Sequence, residues 1–231
     1  MERNQRSRKK KNALNAGRLS GKIVDLETDN TDLINDAKYE LNNYGIFYIT
    51  GEIEEGSLQD LHEKLLLNTI AQQFQQITLI INSIGGECRE GWSLIDLIEL
   101  SKLQGIVIKT VTTGLTCSMG TVISASGSKG QRFATSNCSL MVHEPSVGWM
   151  AGNINNIADQ TEHLVIEQQR MLNFWLTYSK YKTEKQLKKH LFKENRDVYL
   201  TTKQAIRHGI IDKVIGKKTC IGDQKKRKKK S

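Results

Sequence analysis

From residue 45 onward, short apolar runs rich in β-branched residues alternate with segments of helical spacing, which restricts the chain to an α/β fold assembled from βαβ units. "GIFYITG" at 45–51 opens the series. A helical segment follows with Ser57 as expected N-cap and Leu58, Leu61, Leu65, Leu66 and Ile70 on one stripe; "ITLIIN" at 77–82 then reads as a fully buried strand. After the turn "SIGGE" come a helix carrying Trp92, Leu94, Ile95, Ile98 and Leu100, a third strand in "GIVIKTVTTG", and a short helix of small residues in "SMGTVISASG". Two brief strands, around Phe133 and at "SLMVH", precede a long helix from about Ala151 to Tyr178. There Ile154, Ile157, Ala158, Leu164, Val165, Met171, Leu172 and Trp175 keep helical spacing, and ordinary core packing is expected to account for at least half of that stripe. "TTKQAIRHGIIDKVIG" predicts a capped helix and a last strand, whereas residues 13–44 give only a weak helical signal at "DLINDAKYEL".

The 231 residues suffice for one domain with attached extras. Of the net charge of +9, residues 1–12 carry +5 and Lys225–Lys230 carry +6, so the rest of the chain sums to −2. The folded part is therefore not basic. This divides the chain into a basic flexible tail at 1–22, a domain at 23–216 and a lysine-rich tail at 217–231, with nucleic-acid contact confined to the tails. No apolar run approaches the ~18–20 residues of a membrane span, and "NALNAGRLSGK" replaces the apolar core of a secretory signal, so a cytoplasmic protein is expected. Cys88, Cys117, Cys138 and Cys220 form no C-x-x-C pair and have no partner histidine at zinc spacing; no metal site is expected, and the four read as buried thiols, a reading that Cys138 beside Leu140 and Val142 fits.

Chemistry-bearing residues gather at strand ends, where ligands collect in open α/β sheets: Gly85 and Gly86, Ser118, and His143. Ser118 stands at a helix start, which leaves the Met119 amide without an intrahelical acceptor, and Gly86 lets backbone approach a substrate; together they make two oxyanion donors. A serine hydroxyl needs a base to become nucleophilic, and His143, ending "SLMVH" just before Pro145, is the best placed. His62, His163, His190 and His208 read as surface residues. Cys117 is a competing nucleophile, but neighbouring residues at a helix start cannot both face one cleft.

"INSIGGECREGWSLID", "GLTCSMGTVISASGSKGQRFATSNCSLMVHEPSVG" and "DVYLTTKQAIRHGIIDKVI" resemble, in order, three blocks of the Clp protease proteolytic subunit family, ClpP. The resemblance implies the ClpP/crotonase-type fold with a long handle helix that helps join rings. It makes Ser118 the nucleophile, His143 the general base, Asp197 the acid orienting that base, and Gly86 and Met119 the oxyanion amides of an ATP-dependent serine endopeptidase. Asp212 in "GIID" is the rival carboxylate and is expected to be structural. The resemblance also implies stacked heptameric rings, unfolded polypeptide substrates, and ATP used by a partner AAA+ unfoldase rather than by this chain, which needs no cofactor or metal.

Two residues depart from the family pattern: Ile84 stands where proline is usual before Gly-Gly, and Glu144 where glutamine usually follows the histidine. A carboxylate close to His143 would favour the protonated imidazole, so a raised pH optimum is expected. The unfamiliar amino-terminal region and the basic tails leave three other readings open: a viral ClpP-like peptidase trimming capsid or scaffold proteins, a non-catalytic ring subunit, and an acyl-CoA enzyme of the crotonase type.

Overall fold

The computed structural model describes residues 37–146, 151–193 and 196–216. Both expected tails, at 1–22 and 217–231, and Cys220 lie outside the described residues. Of the weak helical signal near residue 40, residues 37–42 are helical and the rest also lies outside. The chain's internal contacts place a unit boundary between Glu40 and Leu41, and the fold below is that of the unit starting at Leu41.

Five parallel strands form the central sheet: β1 (Ile46–Ile53), β2 (Gln76–Gly86), β3 (Val107–Thr112), β5 (Arg132–Thr135) and β8 (Lys213–Ile215), in that spatial order. The crossovers supply α1 (Gln59–Ala71), α2 (Cys88–Leu103) and α3 (Met119–Ala125), as the alternation of the sequence predicts. Leu65, Ile77, Leu79, Ile81, Leu94, Ile98, Ile108 and Ile123 are fully enclosed and join one core. That burial of branched hydrocarbon is the main force holding sheet to helices.

The central strands are less deeply enclosed than their composition suggests. In β2 and β3 buried and half-buried residues alternate, so Thr78 and Ile80 face a less covered side while Ile77, Leu79 and Ile81 face the core. The first helix also differs from expectation. It starts after Leu58, and Ser57, expected to cap it, instead accepts the Glu54 amide hydrogen at 3.1 Å. Leu58, Leu61 and Leu65 are buried, but Leu66 and Ile70 of the same stripe point outward.

A second sheet was not evident from periodicity: β4 (Leu115–Cys117), β6 (Ser139–Val142) and β7 (Val198–Thr201), with β4 and β6 parallel and β7 antiparallel to β6. The Thr121 hydroxyl ties it together, lying 2.9 Å from the Thr116 carbonyl and 2.8 Å from that of Met141. The long helix, α4 (Ile154–Tyr178), starts at an Asn153–Asn156 capping box. Of its eight stripe residues only Met171, Leu172 and Trp175 are buried, joined by Phe174, while Ile154, Ile157 and Val165 are exposed; core packing explains less than half of the stripe. The chain continues through α5 (Glu184–His190), also not anticipated, and α6 (Thr202–His208), which Thr201 and Gln204 cap reciprocally.

Candidate active site

The small sheet brings the candidate residues together. Cys117 pairs with Met141 across β4 and β6, and the Ser118 amide donates to the Met141 carbonyl at 3.0 Å, so the residue leaving β4 lies beside the end of β6. Ser118 Oγ is 2.7 Å from His143 Nε2, a hydrogen bond between groups 25 residues apart. On the other flank Val142 pairs with Val198, which sets Asp197 next to His143. Asp197 Oδ1 is 3.7 Å from His143 Nδ1, within ion-pair reach but too long for a hydrogen bond, and its side chain is 54% exposed. No ion pair joins Glu144 to His143 among the described residues; the nearby carboxylate is that of Asp197.

Ser118 turns a strand directly into a helix, with φ 50° and ψ −127°, a conformation that costs a non-glycine residue about 1–3 kcal/mol. Such strained strand-to-helix turns lift a hydroxyl clear of the backbone. Gly85 and Gly86, expected in a turn, instead form the last residues of β2, paired with Glu52 and Ile53 of β1, and Gly85 lies against Ser118. A Cβ on Gly85 would stand 2.7 Å from Ser118 Cβ and 2.9 Å from the Met119 amide nitrogen, and one on Gly86 would be 2.2 Å from the Ile53 carbonyl oxygen. Only glycine fits either position. Ser83 fastens this strand end, its hydroxyl donating to the Gly51 carbonyl at 2.6 Å and accepting from the Gly85 amide at 3.1 Å.

The rival side chains are occupied or shielded. Cys117 is buried, and burial, followed by the charge of Asp197, pushes its thiol up, away from the reactive thiolate. Cys138 is buried too, its thiol pushed up to about 12 by burial and then by Cys117. Asp212 forms a two-point ion pair with Arg132, Oδ1 to Nη2 at 2.7 Å and Oδ2 to Nε at 3.0 Å, and accepts from the Gly130 amide at 2.8 Å. Three histidines expected at the surface are half-buried: His62, His190 stacked on Tyr181, and His208, whose Nδ1 lies 2.5 Å from the Tyr181 hydroxyl. Only His163 is exposed. Among the described residues no cluster of His, Cys, Asp and Glu could hold a metal ion, and no helix is long and apolar enough to cross a membrane.

A cavity of about 200 Å³ opens beside the Ser118–His143 pair. Gly86, Val122 and Val142 line it with Met171 and Trp175, which sequence reasoning assigned to helix packing, and with Cys88, expected as a buried thiol but half-buried at this cleft. Their helices were legible, but which side chain meets the cleft depends on how α2 and α4 cross the sheet ends.

The Clp protease family model matches residues 29–218, well over half of the chain. The chain belongs to the Clp protease family. It is similar to proteins named ATP-dependent Clp protease proteolytic subunit from Streptococcus pyogenes serotype M5 (strain Manfredo) and from Streptococcus equi subsp. equi (strain 4047). Each match is 29% identical over 171 residues, covering 74% of this chain and 84% of the relative. The mixed α/β architecture with its parallel central sheet is consistent with the fold of this family.

Proposed function

We propose that the chain is a serine endopeptidase in which Ser118, His143 and Asp197 act as nucleophile, general base and orienting acid. The observation that carries this reading is the 2.7 Å contact between Ser118 Oγ and His143 Nε2 at a strained turn beside an apolar cavity. His143 Nε2 takes the hydroxyl proton as Oγ attacks the peptide carbonyl carbon. The Gly86 and Met119 amides receive the oxygen that becomes negative. His143 then returns the proton to the leaving amine, and water, activated the same way, releases the acyl group from Ser118. Asp197 holds the imidazole with Nδ1 protonated, and its longer contact shortens on substrate binding, as catalytic hydrogen bonds commonly do.

The reaction needs no cofactor at this site. The ATP in the relatives' name we assign to a partner AAA+ unfoldase that feeds unfolded chains to rings of this subunit. The exposed Ile154, Ile157, Val165 and Ile166 on α4 support self-assembly, since a second subunit would remove their apolar surface from water. The test is labelling with a fluorophosphonate probe and hydrolysis of short fluorogenic peptides, run beside a mass measurement of the assembly. Labelling and turnover are expected in the native protein and absent in Ser118→Ala; an assembled ring that neither labels nor cleaves peptides refutes the enzyme reading and leaves a structural ring subunit.

A further inference from the structure

A second cavity, of about 830 Å³, opens where strands of the central sheet begin: Val107, the first residue of β3, Arg132, the first of β5, and Asp212, the residue before β8, all line it. The strands are parallel, so this is the end of the sheet opposite Gly86, which closes β2 beside Ser118. The two cavities share no lining residue. Its volume falls within the roughly 300–1,000 Å³ of small-ligand sites, and the serine, histidine and carboxylate described above make no use of it.

Its charge is one-sided. Among the described residues Lys102, Lys129, Arg132, Lys180 and Lys182 line it, against the single carboxylate of Asp212. Two of the five cations are already matched: Arg132 by Asp212, and Lys102, whose Nζ lies 2.7 Å from Glu99 Oε1. Lys129, Lys180 and Lys182 are exposed and have no ion-pair partner among the described residues. The chain between its two basic ends sums to −2, so general basicity does not account for three unmatched ammonium groups around one cavity. Like charges repel, and an anion that enters relieves all three at once. The field reaches past the cavity, since the charge of Lys180 is among those that press His208 down. Ser128, also in the lining, adds a neutral donor: its Oγ accepts the Ile108 amide hydrogen at 3.0 Å, which leaves its own hydrogen without an acceptor among the described residues.

We infer that this cavity binds a compact multivalent anion, a di- or triphosphate group, whose oxygens are met by Lys129, Lys180 and Lys182 together with the Ser128 hydroxyl. A carboxylate brings one charge and leaves two lysines unmatched. One phosphate carries about −1.5 to −2 at pH 7, still short of three ammonium groups, and a second phosphate supplies the rest. Bound there, the anion joins the chain leaving α4, where Lys180 and Lys182 lie, to the loop entering β5, which holds Ser128 and Lys129. Free polyphosphate and the phosphate chain of a nucleotide share this chemistry. The inference is independent of the peptidase reading.

The test is isothermal titration of the full chain with inorganic triphosphate and, separately, with ATP. Two variants accompany the native protein. One replaces Lys129, Lys180 and Lys182 by glutamine, and the other replaces Lys228, Lys229 and Lys230, so that attraction to the lysine-rich end is measured apart from the cavity. Saturable binding to the native protein is expected, weakened at least about tenfold in the cavity variant, because charge-assisted hydrogen bonds are lost, and weakened less in the other. Tighter binding of ATP than of triphosphate assigns the nucleotide as the source of the phosphates; equal or weaker binding assigns free polyphosphate. Should the triple cavity variant fail to fold, Lys180→Gln alone is compared with Lys229→Gln in the same way. Absence of saturable binding of both compounds, or a cavity variant weakened no more than the variant at the lysine-rich end, overturns the inference.

Discussion

Val142 and Val198 lie opposite each other across the antiparallel β6–β7 pair, so the residue following the first, His143, and the residue preceding the second, Asp197, emerge side by side at the same end of the small sheet. The backbone register, rather than a close side-chain contact, is what positions this carboxylate, since the two side chains are 3.7 Å apart. Replacing Asp197 by asparagine is therefore expected to leave the fold and Ser118–His143 geometry intact. Turnover of peptide should fall by as much as ~10⁴-fold, the cost of removing the orienting acid from a serine triad. Steady-state kinetics and a thermal melt check this together: loss of kcat with an unchanged Tm is the expected pair, and unaltered kcat would exclude Asp197 from the chemistry.

Gly85 makes a different demand on the same site. Its φ of +89° is unfavourable for any residue with a side chain, and an added Cβ would press on Ser118 Cβ, the Cys117 carbonyl and the Met119 amide at 2.7–2.9 Å. Gly85→Ala must push the serine turn away from the end of β2. Misplacements near 1 Å cost about 10²-fold in rate, so kcat/KM should drop at least that far. Labelling by a fluorophosphonate, measured as a rate, should slow in parallel; an active alanine variant would show that the serine turn and the end of β2 move independently.

Strain at Ser118 gives a stability prediction that runs against activity. Glycine at 118 relieves the φ of 50° while adding unfolded-state entropy, and alanine relieves nothing. Both variants are expected to be inactive. Ser118→Gly should nevertheless be more stable than Ser118→Ala by about 1 kcal/mol in urea denaturation, whereas equal midpoints would mean that the turn is not under strain.

How far the sequence reveals this arrangement depends on the length of each element. The runs forming β1, β2 and β3 and the stripes of α1 and α2 carry enough residues for a period to emerge, and with them come the strand ends where Gly86 lies. β4 and β7 have three and four residues, "LTC" and "VYLT", too few to show alternation; each exists because β6 offers it a partner from a distant part of the chain. The chain segment of Asp197 could thus be found by family resemblance and not by pattern. Leu66, Ile70 and Ile154 occupy positions that a helical period marks as core, yet they are exposed, because periodicity reports a face and not what covers it.

His208 should impose an acid limit on stability. Burial first, then the charges of Lys180, His190, Lys193 and Arg207, press its imidazole down to about 4, and the Tyr181 hydroxyl lies 2.5 Å from Nδ1. Unfolded, the same group titrates near ~6.5. Between those values the unfolded chain binds more protons than the folded one, so stability falls as pH drops from about 6.5 toward 4. Denaturation midpoints across that window should fall less steeply in His208→Gln than in the native protein. Identical slopes would mean that the histidine is solvated in the folded state.

Asp212 acts in a lower window with a carboxylate's sign. Burial raises its pKa, but the hydrogen bonds and charge of Arg132, with the Gly130 amide, outweigh that and leave it below its usual range. The carboxylate bridges the start of β5 to the chain entering β8, and its partner guanidinium also donates to the Tyr178 carbonyl at 2.9 Å at the end of α4. Removing one member strands Arg132, whose side chain is 8% exposed, without its counter-charge, a change that costs about 3–5 kcal/mol in buried pairs. Asp212→Asn should lower unfolding free energy by an amount in that range at pH 7. Because the folded carboxyl titrates below the unfolded one, the contribution is whole above about pH 4 and disappears as pH falls through the folded value. The difference between native protein and Asp212→Asn, measured by urea denaturation, should shrink as acid is added; a difference constant from pH 7 to pH 3 would mean that packing, and not the ion pair, holds β5, β8 and α4 together.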